Sequence, residues 1–560
     1  MCSSDLLAQA GVGGDTGWSP DGWPLARYRI KLQPARYSFT ISPIAAKPVA
    51  KALAPDYSNP ILHADYSDPD VIRVGDTYYM TASSFNNAPG LPLLESRDMV
   101  HWQLVGHALP QLVPAAQFER PAHGKGVWAP ALRHHDGKFW IFYPDPDQGV
   151  YVMTASGFRG PWSAPTLLLP GKGIIDPAPF WDGDGSAWLM HAWARSRAGI
   201  NNLLTLRRMA PDASRLLDDK GSIAIDGSKF TGYHTLEGPK LYKHQGYYYV
   251  FAPAGGVEQG WQSVFRSRSI EGPYEAKIVL AQGRTAVNGP HQGAWVQAAD
   301  GSDWFYHFQD KGPYGRIVHL QPMRWQDGWP VMGEQQDGKG IGQPVSHYRQ
   351  PVAGAFDTVA PATSDSFDGP QLGLQWQWNA NWRSEWYSLR ARPGHLRLFS
   401  QLDAQAQQQG SLWNRASLLM QKLPAERFTA TASLDLSGMA DGDSSGLLMY
   451  GLDYAWIGVQ RNGNANRLVL KTCLKAMAGC RDEEQAGAEL AAPRVYLRLQ
   501  VTDGGHTTFS YSLDRKHFQE FGQPFNATVG RWVGARMGLF SAASSAQGGY
   551  VDIDDFTLSL

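Results

Sequence analysis

Five stretches within the first 350 residues repeat one pattern, and this recurrence constrains the chain more than any other feature of it. Each has a polar or aromatic key residue, a nearby proline, a glycine turn and an aromatic-rich strand. They run Asp68-Pro69-Asp70 to Gly75 and Tyr78-Tyr79; Trp128-Ala129-Pro130 to Gly137 and Phe139-Trp140; and Asp176-Pro177 to Gly185 and Trp188. The last two are Glu237-Gly238-Pro239 to Gly246 and Tyr247-Tyr248-Tyr249, and Pro290-His291-Gln292-Gly293 to Gly301 and Trp304-Phe305-Tyr306. The key residues stand at 68, 128, 176, 237 and 291. A second landmark follows in several units: Trp102, Trp162 and Tyr274. Short strands and glycine turns recurring roughly every 40–60 residues predict a β-propeller, here with five blades over residues 57–350.

Composition agrees with an all-β chain. The 60 glycines and 37 prolines punctuate short strands, and 21 Trp, 23 Tyr and 22 Phe suit pleated surfaces. With 50 basic and 51 acidic residues and no strongly basic segment, nucleic acid is not an expected partner. No apolar run reaches about 18 residues, so no transmembrane helix and no membrane partner are expected. Residues 1–56 lack both a legible secretory signal and the strand pattern, and they read as a disordered leader or a misassigned start. Nothing in the chain specifies an oligomeric state.

Beyond Gln350 the repeat is lost. Residues 351–365, rich in Ala, Asp, Pro and Thr, read as a linker, and 366–560 as a β-sandwich of concanavalin-like jelly-roll type. There Val495, Leu497, Leu499 and Val501 alternate with Tyr496, Arg498 and Gln500, while Asn462-Gly463 and Asp503-Gly504 mark hairpin turns. Cys473 and Cys480 flank a short turn-like stretch and read equally as a disulfide, which would favour an oxidising compartment, or as two free thiols.

A propeller turns the repeat into a statement about chemistry. The first strand of every blade lines the central channel, so Asp68, Asp176 and Glu237 are expected to meet at the hub. Asp-Pro and Glu-Gly-Pro are also ordinary turn sequences, and a single one would carry no weight. Three carboxylates together suit hydrolysis of a glycosidic bond. One protonates the leaving oxygen, one activates water, and the third raises the pKa of the acid. The rival reading is a hard cation held by the run Asp65, Asp68, Asp70.

The motifs Asn59-Pro60-Ile61-Leu62, Asp68-Pro69-Asp70, Arg73 to Tyr79, Ser84-Phe85 and Pro89-Gly90-Leu91-Pro92 resemble glycoside hydrolase family 43. The resemblance continues through Val127 to Pro130, Ile175-Asp176-Pro177, Glu237 to Lys240, Pro290 to Gly293 and Tyr314 to Leu320. It spans about residues 57–345, and the remainder looks like the sandwich attached to β-xylosidases of that family. It implies Asp68 as general base, Asp176 as the residue that tunes and orients the acid, and Glu237 as general acid. It also implies Arg316 as a sugar-binding arginine, and Trp128, Phe85 and Trp261 as candidate pocket walls, with a core role equally open to Trp261. His291 resembles the axial histidine that contacts a calcium ion or a water in the channel; a hydrogen-bonded histidine without metal fits the residues equally. No cofactor is required for the chemistry. The expected substrates are xylo-oligosaccharides or arabinose-substituted glycans, cleaved with inversion outside the cytoplasm, which leaves β-xylosidase and α-L-arabinofuranosidase activities both open. A sugar-binding protein without catalysis is the alternative from another class.

Overall fold

The computed structural model describes residues 56–335, 338 and 340–560. The reading of residues 1–56 as a leader therefore lies outside the described residues, except for Asp56, which opens a strand. The only α-helices among the described residues are Arg195–Ala198 and Ala404–Gln409. Everything else that is regular is strand or 3-10 turn.

Five sheets form the propeller, antiparallel except where Leu280 at the outer edge of the fourth pairs in parallel with Gly342. Their inner strands are Asp70–Val74, Ala131–His135, Ile174–Trp181, Lys240–His244 and Trp295–Gln297, each followed outward by three more strands of its blade. Three of these inner strands bury their first two residues and expose the fourth, so the same positions face the hub in different blades. The ring closes before the first blade begins. Asp56–Ser58 pairs with His347–Arg349, and Ile61 and Leu62 bond to Val318 of the fifth blade.

The core is divided among the blades rather than gathered at a centre. Separate apolar clusters fill the junctions between neighbouring blades, including one in which Tyr78, Met80 and Trp102 of the first blade pack on Trp304, Tyr306 and Val318 of the fifth. The second landmark of the repeat now has a physical reason. Trp102 Nε1 donates to Met99 O at 3.1 Å, Trp162 Nε1 to Phe158 O at 2.9 Å, and Tyr274 Oη to Ile270 O at 2.7 Å. In each case a ring packs at a blade junction while its polar atom donates to the carbonyl of a nearby turn.

Two mostly antiparallel sheets make the sandwich, with strands such as Ser444–Tyr450 and Arg536–Ala543 in one and Arg494–Thr502 and Tyr550–Ser559 in the other. The alternation at Val495 to Val501 holds, with all four aliphatics buried. Asn462 pairs with Ala465, so the hairpin turn is centred on Gly463-Asn464, one residue later than the dipeptide suggested. Cys473 and Cys480 are joined in a disulfide with Cα atoms 5.6 Å apart. Asp365, read as the last linker residue, accepts from the backbone of Phe367 and Gly373 and from Trp376 Nε1, and so is built into the sandwich.

Propeller and sandwich share a core: Tyr314 and Ile317 of the fifth blade belong to the sandwich's apolar cluster. Tyr314 Oη donates to Glu426 O at 3.0 Å and accepts from Gly505 N at 2.9 Å.

Candidate active site

At one end of the hub lies a cavity of about 250 Å³ lined by Asp68, Asp176, Glu237 and Arg316, with Phe85, Trp128 and Trp532 among its walls. Three carboxylates from three blades therefore meet although up to 169 residues separate them (237 − 68). Local backbone explains how. Asp68 and Asp176 each directly precede a proline and hold left-handed backbone, with φ of 55° and 54°. Such geometry costs roughly 1–3 kcal/mol outside glycine and persists where the surroundings enforce it. It turns each carboxylate off the line of its strand and toward the axis. In the fourth blade Gly238 (φ 59°) takes this position before Pro239, so Glu237 sits one residue earlier than the aspartates do. The repeat is thus out of register by one residue at Glu237, and the longer side chain of glutamate makes up the difference.

The three carboxylates have different surroundings. Asp68 Oδ2 accepts from Ser67 Oγ at 2.7 Å and Ser83 Oγ at 2.5 Å, and Arg316 Nη1 stands 3.4 Å from Oδ1. Asp176 is 5% exposed and accepts from Gly238 N at 2.8 Å. Burial first, then the negative charge of Glu237, pushes Asp176 up to about 8, and Asp68 adds to the effect. The side chain of Glu237 is 22% exposed and meets His291 Nε2 at 3.0 Å.

Below this layer a second one closes the hub. Lys240 Nζ lies 3.2 Å from Asp70 Oδ2 and donates to Pro130 O at 2.9 Å. Asp70 Oδ2 also accepts from Leu132 N and Arg133 Nη1. The cavity is therefore a blind pit with a polar floor.

The aspartate run does not act together. Asp65 accepts from the backbone N–H of Arg316 at 3.0 Å and of Gly534 at 3.0 Å, Asp68 faces the pit, and Asp70 is neutralised beneath it. The donor set around His291 does not suit calcium either. Its Nε2 is engaged by Glu237, its Nδ1 is a nitrogen without a partner, and no group of three His, Cys, Asp or Glu side chains that could hold a metal occurs among the described residues. A hard cation prefers several oxygens.

Of the expected walls, Phe85 and Trp128 line the pit with ring centroids 6.2 Å apart. Trp261 does not. Its ring packs edge-on against Tyr233 at 5.8 Å, behind the Gly255-Gly256 turn, and it is Gly256 and Val257 that reach the cavity. Sequence reasoning missed Thr235, Gln292 and above all Trp532, which the sandwich contributes. Trp532 stands edge-to-face with Trp128 at 6.1 Å, on left-handed backbone (φ 65°). An aromatic residue in Gly530-Arg531-Trp532-Val533-Gly534 carries no local sign that it faces another domain.

Comparison with known proteins agrees with this architecture. Residues 57–330 match the model of glycosyl hydrolases family 43, and residues 364–559 that of the β-xylosidase C-terminal concanavalin A-like domain. A β-xylosidase of Formosa agariphila is 35% identical over 546 residues, covering 90% of each chain. A non-reducing end α-L-arabinofuranosidase of Bacteroides ovatus is 28% identical, over 87% of this chain and 92% of its own. The crystal structure of xylan β-1,4-xylosidase from Bacillus halodurans superposes with a TM-score of 0.78 at 26% identity, over 90% of this chain and 100% of that one.

Proposed function

The chain belongs to glycosyl hydrolase family 43, and from that membership and the shape of the pit we propose that it is an exo-acting β-xylosidase that removes terminal xylose from xylo-oligosaccharides with inversion. The observation that carries this reading is a blind cavity of about 250 Å³ ringed by three carboxylates and an arginine. A pocket with a closed floor admits a chain end, not the middle of a polymer. Its aromatic walls suit the C–H faces of one sugar ring, while Arg316 and the carboxylates suit its hydroxyls.

In this reading Asp68 draws a proton from the attacking water, with its carboxylate oriented by two serine hydroxyls and Arg316. Glu237 delivers a proton to the leaving oxygen. Asp176, buried beside Glu237, keeps negative charge from accumulating, so the pair retains a proton near neutral pH. Inversion requires the base and acid to stand roughly 6.5–9.5 Å apart, with room for a water between. No step passes through a metal.

A second activity, release of arabinofuranose, is favoured by the similarity to the Bacteroides ovatus arabinofuranosidase. Nitrophenyl β-xyloside and α-arabinofuranoside assayed side by side rank the two. Proton NMR of fresh xylobiose hydrolysate should show α-xylose first. Inactivity on both glycosides would overturn the assignment, and β-xylose appearing first would remove the water-activating role of Asp68.

A further inference from the structure

The floor of the pit is closed, so whatever follows the terminal sugar lies toward the mouth, where the Trp128 and Trp532 rings meet edge to face. That mouth is charged. The Arg531 guanidinium lies 4.5 Å from the centre of the Trp532 ring, is exposed, and has no carboxylate partner among the described residues. Its position is built rather than incidental. A Cβ at Gly124 would fall 2.5 Å from Arg531 Cγ and 2.9 Å from Trp532 Cδ1, so only a bare backbone there lets both side chains settle. The same glycine's carbonyl accepts from Trp128 Nε1 at 3.0 Å, which fixes the opposite ring of the mouth to the same loop.

Two more cations belong to the same side, one of them against Trp128. Arg197 lies 5.4 Å over its ring, and Arg197 and Lys125 share a single acid, Asp147, at 3.4 and 3.1 Å. Asp145, nearby, is pushed up to about 7 by burial and carries only part of a charge at neutral pH. On the side of the mouth formed by Trp128 and Trp532, three cations are thus set against one full carboxylate, in a chain whose formal net charge is −1. On the other wall Glu258, exposed next to Val257, is negative and repels an acid from that side.

We infer that the mouth recognises a carboxylate on the leaving group, with Arg531 as its anchor, so the favoured substrates are xylo-oligosaccharides bearing a uronic acid on the unit next to the terminal xylose. This rests on the xylosidase reading and extends it to the leaving-group side. A guanidinium takes a carboxylate in a bidentate fork and stacks on indole at the same time, a combination a lysine does not reproduce.

The test compares kcat/KM on neutral xylotriose with that on xylotriose carrying glucuronic acid on its middle unit, for wild type, Arg531→Ala, Arg531→Glu and Arg531→Lys. Wild type should favour the acidic substrate by roughly three- to tenfold, the scale of one exposed charge-assisted contact. The ratio should fall to about one in Arg531→Ala, invert in Arg531→Glu, and survive in part in Arg531→Lys. It should also shrink as salt rises from about 20 mM to about 500 mM. Circular dichroism of the variants separates loss of recognition from loss of fold. A wild type that cleaves neutral xylotriose with a ratio of one, or a preference that persists in Arg531→Ala, overturns this inference alone. Failure to cleave neutral xylotriose overturns the underlying assignment instead.

Discussion

Glu237 and Asp176 carry the same functional group in two different surroundings. Glu237 is partly open to the pit and hydrogen-bonds His291, whereas Asp176 is sealed behind it on a backbone N–H. Glu237→Gln should lower kcat on xylobiose by about 10²–10⁴-fold with binding retained, because an amide cannot protonate the leaving oxygen. The loss should be smaller on nitrophenyl xyloside, whose leaving group needs less help, and unchanged turnover on xylobiose would remove Glu237 as the acid. Asp176 makes a prediction about stability as well. Its ordinary value of 3.8 is raised to about 8, so between these limits the folded protein holds a proton that the unfolded chain has released. Stability therefore declines as pH rises through that window. Asp176→Asn removes this contribution, so its advantage over wild type should grow from pH 5 to pH 8, reaching on the order of 1–3 kcal/mol in urea titrations. A constant stability difference across that range would show that burial does not perturb Asp176.

Between residues and the whole stands a clasp of three short segments. Asp65 precedes the first blade, Gly315 precedes the strand Arg316–Gln326, and Gly534 ends the loop that carries Trp532. Asp65 accepts the N–H of Arg316 and of Gly534, and a Cβ on Gly315 would meet Asp65 Cγ at 2.6 Å and Gly534 N at 2.7 Å. One buried carboxylate therefore sets both a residue that lines the pit and, two positions from Gly534, a wall at the mouth. Asp65→Ala should cost about 2–4 kcal/mol, since it strands two buried N–H donors. It should also raise KM more than it lowers kcat, because Arg316 and Trp532 shift while the three carboxylates stay on their own strands. A variant with lowered Tm and native KM would reduce the clasp to a purely structural role.

At the scale of the molecule, the two domains are one machine for forming a pit. Tyr314 and Ile317 leave the propeller to complete the sandwich core, and Trp532 leaves the sandwich to complete the pit. Residues 56–350 produced without the sandwich should be insoluble or bind xylose weakly, because they would expose Tyr314 and lose one side of the mouth. Recovery of full activity by this fragment would contradict that dependence. The strand-rich architecture and the hub were legible because a propeller is a repeat, and repeats announce themselves along the chain. The single-residue offset at Glu237 was not legible, since it depends on Gly238 adopting the left-handed position that Asp68 and Asp176 occupy in their own blades. Trp261 stayed open between wall and core for a related reason: an aromatic near a glycine turn has the same local sequence whether it faces the cavity or stands behind the turn, as it does here against Tyr233.

The sequence by itself determined five blades, the strands that line their axis, and the three acidic side chains turned toward it, because each of these follows from short-range periodicity and turn chemistry. Only the tertiary structure decided that Asp65 would be a clasp, that Asp70 would meet Lys240 beneath the pit, and that Trp532 and Arg531 would guard its mouth. Those outcomes depend on which surfaces of two distant domains come to lie against each other, and no local pattern of side chains records that.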